Sequence, residues 1–327
     1  MTIHQQIAAA IDLGSNTFRL LVADCSTGNI RVLAKKLATV RLGGAIAKNG
    51  LLQDEAIQRG YDVLHSFREI LAHHKPQCLR VCGTQALRRA RNSRLFLQRA
   101  EEILQQAVEI ITGEEEARLS LAGALWRHSP PQDGSLLLVD VGGGSTELVL
   151  AAPPAAPAGA VSVPLGVVSL TESFLAVPGL DISDLDAHIE DILKHALEVL
   201  KLAGNSPSLP IIGCGGTATS MAALAQKLTV YDESLVHGYT LTRTAMAKLW
   251  DGMIVLPADM RNNLPCLGEG RGEILPAGIR IYLVLLRLLK RDRVRVSDTG
   301  LLEGLLLSCL QPDTAAALQS ETLQQSS

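Results

Sequence analysis

Two segments of the chain, which begin 128 residues apart at Ala8 and Leu136, carry the same order of residue types. Each has an apolar run, an aspartate (Asp12 or Asp140), a turn of glycine and hydroxyl residues, and a second β-rich run. Glycines let a backbone present several N–H groups to one anion, hydroxyls add donors, and an aspartate at a strand end can hold hydrated Mg²⁺. The pattern therefore predicts two phosphate-binding loops. Their predicted phosphate contacts are Gly14, Ser15, Asn16 and Thr17 in the first loop and Gly142, Gly143, Gly144, Ser145 and Thr146 in the second.

A single turn of this kind is usually an ordinary hairpin, and it is the repetition that carries the prediction. Repetition indicates duplicated domains, each offering one loop to a shared cleft, as in the superfamily of actin, hexokinase and the heat-shock ATPases. Within that superfamily the chain resembles the exopolyphosphatase and guanosine pentaphosphate phosphatase family. Besides the two loops, the segments that carry the resemblance are residues 83–88, 112–119, 213–217 and 269–278.

The resemblance runs in order over residues 9–304 and implies an α/β fold of two duplicated actin-like (ribonuclease H-like) domains. Each domain is expected to contain a mixed five-stranded sheet with helices, and the active site is expected in the interdomain cleft. We expect residues 1–125 plus about 297–312 to form the first domain, residues 126–296 the second, and residues 313–327 a frayed tail. The proline- and alanine-rich residues 152–159 are predicted to be a hairpin loop that leads into a strand over residues 160–168.

Three consecutive glutamates, Glu114, Glu115 and Glu116, stand at the start of a predicted helix. Acidic residues in a first helical turn complement the helix dipole, and this structural explanation is the ordinary one. The resemblance gives a different explanation for the glutamate directly before the alanine. It implies that Glu116 is the catalytic base, which takes a proton from the water that attacks the terminal phosphorus.

Two carboxylates, Asp140 and Glu147, flank the triple-glycine loop. Because side chains alternate along a strand, Glu147 could simply face solvent. The alternative is that both bind Mg²⁺ or Mn²⁺ and that Glu147 also helps to position the nucleophile, since such an ion needs only one or two carboxylates beside substrate phosphates. Asp12, at the equivalent place in the first loop, is the third candidate metal ligand.

Two basic clusters stand out in a chain that is otherwise balanced in charge. They are Arg88, Arg89, Arg91, Arg94 and Arg99, and Arg287, Lys290, Arg291, Arg293 and Arg295. Most of these side chains are expected on solvated helix surfaces. Arg88 differs because it follows a strand and a turn, where strand ends meet a cleft. Arg88 and Arg271 are predicted to bind the terminal phosphates.

A third glycine-rich turn, at residues 213–218, follows an apolar run and includes the predicted phosphate contacts Gly215 and Gly216. It matches the Gly-x-Gly-x-x-Ala dinucleotide fingerprint, which would suggest a nicotinamide enzyme. However, a dinucleotide fold normally has this turn after its first strand, whereas here two other phosphate loops precede it. We therefore interpret it as the nucleoside-side loop of the superfamily.

Composition narrows the classes of function. The 327 residues are 47% hydrophobic, with a formal net charge of −3, so general disorder and whole-chain nucleic-acid binding are not expected. The six cysteines form no CxxC pair, and no apolar run is long enough to cross a membrane. The first residues show no basic region followed by an apolar segment, so an export signal is not expected. We expect a cytoplasmic protein without membrane or nucleic-acid partners, and the resemblance implies a homodimer.

The predicted function is removal of terminal orthophosphate from inorganic polyphosphate by metal-assisted water attack. The nearest alternative is hydrolysis of guanosine pentaphosphate with the same residues, and less favoured alternatives are a sugar-type kinase and a nucleotide sensor without turnover. Two residues depart from the family pattern. Leu302 stands before Glu303-Gly304 where arginine is common, and Gly272 replaces a usual alanine after Arg271.

Overall fold

The computed structural model describes residues 6–26, 30–44, 46–127, 134–152, 156–175, 181–202 and 209–310. The chain forms two compact units. Residues 1–129 and 299–327 belong to the first, and residues 130–298 belong to the second. The predicted tail at residues 313–327 lies outside the described residues.

The first unit is built on a five-stranded sheet with the order β3-β2-β1-β4-β5. Its strands are β1 (Ile7–Leu13), β2 (Thr17–Asp24), β3 (Arg31–Thr39), β4 (Cys78–Gly83) and β5 (Glu109–Ile110). The first three are an antiparallel meander, and β4 and β5 continue the sheet in parallel. The central strand β1 reads as an almost unbroken apolar run because both of its faces are covered.

Helices cover both faces of this sheet. They are α1 (Ile46–Asn49), α2 (Asp54–His74), α3 (Gln85–Arg89), α4 (Ser93–Leu104), α5 (Gly113–Trp126) and, near the end of the chain, α13 (Leu301–Ser308). Alternate residues of β1 point to opposite faces of the sheet, where they pack in two separate apolar clusters. Ala9 and Ile11 pack with α2 and α4, whereas Ala8 and Ala10 pack with α13. The sheet is thus the middle of three layers, which fixes the edge at which its loops emerge.

The second unit contains a six-stranded sheet with the order β10-β11-β9-β6-β7-β8. Its strands are β6 (Leu136–Val141), β7 (Thr146–Ala152), β8 (Ala156–Val163), β9 (Ile211–Cys214), β10 (Thr240–Thr242) and β11 (Arg293–Val296). Read from β8 to β11, the order repeats that of the first sheet, so the duplication predicted from the loops is present in the topology.

Two predictions about this sheet are wrong in detail. The sheet has six strands rather than five, since β10 pairs with β11 as an additional edge strand. Because β10 has only three residues, it shows no alternation of side chains from which a strand could be predicted. Strand β8 begins at Ala156, within the segment predicted to be a loop. Pro157 lies on an edge strand, opposite a register irregularity between Leu150 and Ala151 of β7, and both are places where a sheet tolerates proline.

The helices of the second unit surround a core centred on one long, late helix. They are α6 (Val167–Leu170), a π-helical turn (Thr171–Leu175), α7 (Ile182–Val199), α8 (Gly215–Ala225), α9 (Glu233–Val236), α10 (Arg243–Ile254), α11 (Ala258–Asn262) and α12 (Arg271–Leu288). Helix α12 buries Ile279, Tyr282 and Leu285 completely. None of the described helices is long and apolar enough to cross a membrane.

Glycines allow a close helix contact in the first unit, where α5 meets α13. A side chain at Gly123 would overlap the backbone carbonyl of Gly300, and one at Gly304 would overlap the carbonyl of Leu119. The two helices therefore approach to a distance that only glycine allows at both positions.

We expect Gly304→Ala to destabilise the first unit by about 3 kcal/mol or more, because a backbone carbonyl cannot move away as a flexible side chain can. Gly252→Ala is the matched control, since Gly252 lies in α10 with no atom within 4 Å of the added methyl group. That change should be neutral or stabilise by about 0.5–1 kcal/mol through helix propensity. Thermal and denaturant unfolding of both variants measures the difference, and equal stabilities would contradict the close contact.

Candidate active site

The first predicted phosphate loop is a tight turn between β1 and β2. It is closed by a hydrogen bond from the Gly14 N–H to the Thr17 carbonyl (3.1 Å). The Asn16 carbonyl accepts from the N–H groups of Val40 (2.9 Å) and Arg41 (2.8 Å), so the loop's carbonyl side is held by the segment after β3. The side-chain nitrogen of Asn16 is buried and has no hydrogen-bond partner among the described residues. A buried donor of this kind suits an anionic ligand.

Asp12, at the end of β1, lies directly opposite Arg19 on β2. The Asp12 carboxylate is buried, and its Oδ2 accepts from Nε of Arg19 (2.7 Å) and lies 2.6 Å from Nη2. An arginine at this distance neutralises the carboxylate, so Asp12 is positioned to hold Arg19. This arrangement weakens the prediction that Asp12 binds a metal ion.

The predicted base Glu116 and the predicted phosphate ligand Arg88 form an ion pair, with 2.8 Å between Nη1 of Arg88 and Oε2 of Glu116. Glu116 is 8% exposed. The same Nη1 donates to the Ile111 carbonyl (2.7 Å), which fixes the guanidinium plane. The Nε and Nη2 edge of Arg88 has no acceptor among the described residues. That edge is the fork with which arginine binds a phosphate group through two hydrogen bonds.

The neighbouring glutamates have different surroundings. Glu114 is exposed, and Glu115 is paired with Arg80 at 2.6 Å. Thr112 caps the helix, because its hydroxyl accepts from the Glu115 N–H (3.1 Å). The N-terminus of the helix is therefore already stabilised by a cap and by two other acidic residues. Its dipole alone does not explain why the Glu116 carboxylate is buried.

The second predicted phosphate loop repeats the first. The Gly142 N–H donates to the Ser145 carbonyl (2.9 Å), the same closing hydrogen bond as in the first turn. The carbonyls of Gly142 and Gly143 accept from Val167 (3.0 Å) and Val168 (2.8 Å) at the start of α6. No hydrogen bond among the described residues uses the N–H groups of Gly143 and Gly144. They are thus available to an anion.

Asp140 and Glu147 lie directly opposite each other in the antiparallel pair of β6 and β7. Side chains at such positions share one face of the sheet with Cβ atoms about 5 Å apart, and like charges there repel. Glu147 is 2% exposed and accepts from the Ser162 hydroxyl (2.7 Å). Two oxygen ligands that repel each other are a suitable donor set for Mg²⁺ or Mn²⁺ beside phosphate oxygens. The described residues contain no cluster of three or more acidic, histidine or cysteine ligands.

The third glycine turn brings Asp140 and Arg271 to the start of α8. Gly215 has φ +77°, and any side chain there would overlap Oδ1 of Asp140. A side chain at Gly216 would overlap the guanidinium of Arg271. The two glycines are therefore required for a carboxylate and an arginine to reach the N-terminus of an 11-residue helix, where backbone N–H groups are unpaired.

Four residues near these loops escaped the sequence predictions: Arg19, Arg41, Ser162 and Arg261. Arg41 has φ 54°, a left-handed conformation that is costly for a residue other than glycine and is frequent at functional sites. Arg261 lies beside the start of α12, its buried Nε has no partner among the described residues, and burial lowers its pKa. Of these four, only Arg19 could have been identified from the sequence, because it lies seven residues after Asp12, directly opposite it in the hairpin.

The two departures from the family pattern have structural reasons. A side chain at Gly272 would overlap the backbone of Arg261 in α11, so this chain requires glycine where alanine is usual. Leu302 is 2% exposed and packs in the apolar cluster that joins α13 to β1 and β2. A charged residue at that position would be buried at a high cost.

The chain is similar to known proteins in both sequence and structure. The model of the Ppx/GppA phosphatase family matches residues 21–312. A guanosine-5'-triphosphate,3'-diphosphate pyrophosphatase of Vibrio vulnificus is 32% identical over 97% of this chain and 62% of its own length. An exopolyphosphatase 2 of Mycobacterium tuberculosis is 30% identical over 92% of this chain and 97% of its own. The chain thus spans about three fifths of the length of the Vibrio relative.

The solved structure of a Ppx/GppA family member from Aquifex aeolicus superposes with a TM-score of 0.75 at 29% identity, covering 98% of this chain and 99% of that one. This likeness confirms the predicted actin-like fold. A family match over nearly the whole length, together with the duplicated phosphate loops, shows that the chain belongs to the Ppx/GppA phosphatase family.

Proposed function

We propose that the chain is an exopolyphosphatase that releases terminal orthophosphate from inorganic polyphosphate, with water as the acceptor. The observation that carries the proposal is the Arg88–Glu116 pair. It places a buried carboxylate next to an arginine whose second edge is available for a phosphate group. A carboxylate that can accept a proton from water, next to a phosphate ligand, is what hydrolysis of a phosphoric anhydride requires.

The residues of the chain divide the work of phosphoryl transfer. The loops at Gly14–Thr17 and Gly142–Thr146 would bind phosphate oxygens through backbone N–H groups, and Arg88 and Arg271 would bind them through guanidinium groups. Glu116 would orient the attacking water and accept its proton. Because the transition state of phosphoryl transfer is loose, such positioning and charge neutralisation supply most of the rate enhancement.

We infer that Asp140 and Glu147 hold Mg²⁺ or Mn²⁺. The support is their directly opposed register, which places two carboxylates on one face of the sheet beside the N–H groups of the second loop. When bound, the ion would neutralise phosphate oxygens as charge builds up on them. Glu147 would in addition position the water, helped by the Ser162 hydroxyl that fixes its carboxylate.

Guanosine pentaphosphate is the second candidate substrate. The support is the similarity to the Vibrio vulnificus guanosine-5'-triphosphate,3'-diphosphate pyrophosphatase, which aligns over 97% of this chain. The same base, arginines and metal ligands would serve this reaction, since it also removes a terminal phosphate from an anhydride.

The proposal is tested by measuring phosphate release from long polyphosphate, tripolyphosphate and guanosine pentaphosphate side by side, with the Glu116→Gln variant as the blank. We expect release from polyphosphate without any added acceptor. Turnover only with an alcohol acceptor and a nucleotide would instead indicate a kinase, and no turnover on any substrate would indicate a sensor. A higher kcat/KM for guanosine pentaphosphate would replace the first candidate by the second.

Arg88→Ala and Arg271→Ala are each expected to lower kcat/KM by about 30- to 1000-fold, equivalent to about 2–4 kcal/mol of transition-state stabilisation. The reason is that a guanidinium fork matches two phosphate oxygens, whereas a surface arginine contributes only diffuse charge. Arg94→Ala is the control, because Arg94 belongs to the same sequence cluster as Arg88 but is exposed on α4. Equal losses in all three variants would mean that only net charge matters.

A cytoplasmic homodimer, expected from composition and from the resemblance, stays a prediction. Analytical ultracentrifugation of the purified chain checks the oligomeric state.

A further inference from the structure

A groove of about 430 Å³ lies on the second unit between the first turn of α10, the C-terminal half of α12 and the start of α7. Its charged lining residues are Arg243, Arg280, Arg287 and Asp186. Arg280 and Arg287 follow Arg271 on α12 by nine and sixteen residues, or about 13 and 24 Å along the helix axis. The groove is therefore distinct from the candidate active-site residues at the start of that helix.

The arginines of the groove are held in fixed positions. The guanidinium of Arg280 lies 4.8 Å above the ring of Trp250, and its Nε donates to Oδ1 of Asp186 (2.9 Å). Nη2 of Arg287 donates to Glu190 (2.7 Å). Each carboxylate or ring restrains a long side chain that would otherwise be mobile. Restrained arginines lose less entropy when they bind an oxyanion.

Positive charge exceeds negative charge in this region. Lys194 also pairs with Glu190 (2.7 Å). The two carboxylates Asp186 and Glu190 thus pair with three cationic side chains, those of Arg280, Arg287 and Lys194, and Arg243 is a fourth cation in this region. Arg243 forms no ion pair within the described residues, and the nearby carboxylate of Asp292 is bound by Arg293 (3.1 Å). An excess of two positive charges around a concave surface concentrates anions there.

The start of α10 adds further donors to the same groove. Arg243 and Thr244 are the first residues of this 12-residue helix. The Arg243 N–H donates to the Asp292 carbonyl (2.7 Å), and the Thr242 hydroxyl accepts from the N–H of Ala245 (3.1 Å). The N–H of Thr244 and the positive end of the helix dipole strengthen the attraction that the arginines provide.

We propose that this groove is a second oxyanion site, which binds a phosphate-class anion separately from the active site. Two sources supply this chemistry: distal phosphates of a polyphosphate chain, and free orthophosphate. Occupation of the groove by distal phosphates of a substrate rests on the proposed function. Binding of a phosphate-class anion to the groove does not require that the chain hydrolyses it.

The test is isothermal titration calorimetry of tripolyphosphate into the full chain carrying Glu116→Gln, which prevents hydrolysis during the measurement. We expect two binding sites per chain. Adding Arg243→Ala and Arg287→Ala, both at exposed positions, should abolish one site or weaken it at least tenfold and leave the affinity of the other unchanged. Adding Lys248→Ala and Arg94→Ala instead removes two exposed cations outside the groove and should change neither site. Unchanged stoichiometry and affinities in the groove variant would overturn the proposal.

Two kinetic experiments, on a chain that keeps Glu116, distinguish distal phosphates of the substrate from free orthophosphate as the ligand of the groove. If distal phosphates of the substrate occupy the groove, the Arg243→Ala and Arg287→Ala pair should raise KM for long polyphosphate about tenfold without changing KM for tripolyphosphate. If free orthophosphate occupies it, the pair should abolish the response of the rate to added orthophosphate at every chain length. Two sites in the calorimeter without turnover on any substrate would refute the proposed function and leave the groove site standing.

Discussion

Glu116→Gln is expected to lower kcat by roughly 10²–10⁴-fold while the protein stays folded. Glutamine keeps the volume of the side chain and can still accept a hydrogen bond from Arg88, which lies 2.8 Å from the Glu116 carboxylate. What it loses is the ability to take a proton from water. The size of the effect follows from the usual contribution of a positioned general base.

Substrate binding should persist in this variant. A negative charge would be removed from a site that is proposed to bind a polyanion, so the affinity for substrate should stay the same or increase. Arg88 would lose an ionic partner, and its guanidinium would then be freer to bind phosphate. The expected signature is therefore a large loss in kcat without a rise in KM, measured by steady-state phosphate release.

Glu114→Gln is the matched control, since it removes one acid from the same helical turn at an exposed position. If the acids of this turn serve only the helix dipole, both variants should lose no more than about 1 kcal/mol of stability and keep their turnover. A normal kcat in folded Glu116→Gln would rule out Glu116 as the base. Glu147→Gln would then be the next variant to measure.

The phosphate loops could be predicted from the sequence because their determinants are local. An aspartate at a strand end, a glycine that begins the turn and a second strand are contiguous, and in both units the turn closes through the same hydrogen bond, from Gly14 or Gly142. The duplication of the sheets follows from the same repeat. The extra strand β10 could not be predicted, because three residues are too few to show the alternation of buried and exposed side chains that indicates a strand.

Side chains that meet across the fold left much weaker signals. Arg88 and Glu116 are 28 residues apart, and their ion pair depends on how α3 and α5 pack at the sheet edge. The place of Arg271 against Gly216 likewise depends on the packing of α12 on α8. Composition and spacing identify such residues as candidates, but only the tertiary structure shows which of them share a site.

The difference between the two aspartates was, in contrast, readable from spacing. In each hairpin the residue seven positions after the aspartate lies directly opposite it, which gives Arg19 for Asp12 and Glu147 for Asp140. An arginine neutralises the first aspartate, whereas a second carboxylate adds to the charge of the other. The repeated motif therefore does not imply a repeated metal site.

Asp140→Asn is expected to abolish activity at low Mg²⁺ and to recover little of it at high Mg²⁺. The substrate is a dense polyanion that resists an attacking oxygen unless its charge is neutralised, a contribution worth several kcal/mol. An amide oxygen is a weaker ligand than a carboxylate, and Glu147 alone would not hold the ion in place. Phosphate release measured over a range of Mg²⁺ concentrations tests this expectation, and full wild-type activity in excess chelator would contradict it.

Stability gives a second readout that does not depend on turnover. The comparison is made within each protein, with and without Mg²⁺, because Asp140→Asn also changes the contacts of this carboxylate at the start of α8. Mg²⁺ should raise the unfolding temperature of the wild type, since an ion that binds only the folded state stabilises it by mass action, and should have little effect on the variant.

Asp12→Asn is the internal control. It changes the duplicated position whose carboxylate is already neutralised by Arg19, so it should leave the stabilisation by Mg²⁺ intact even if it lowers the unfolding temperature itself. Loss of the Mg²⁺ effect in Asp12→Asn and its retention in Asp140→Asn would place the metal on the first loop instead.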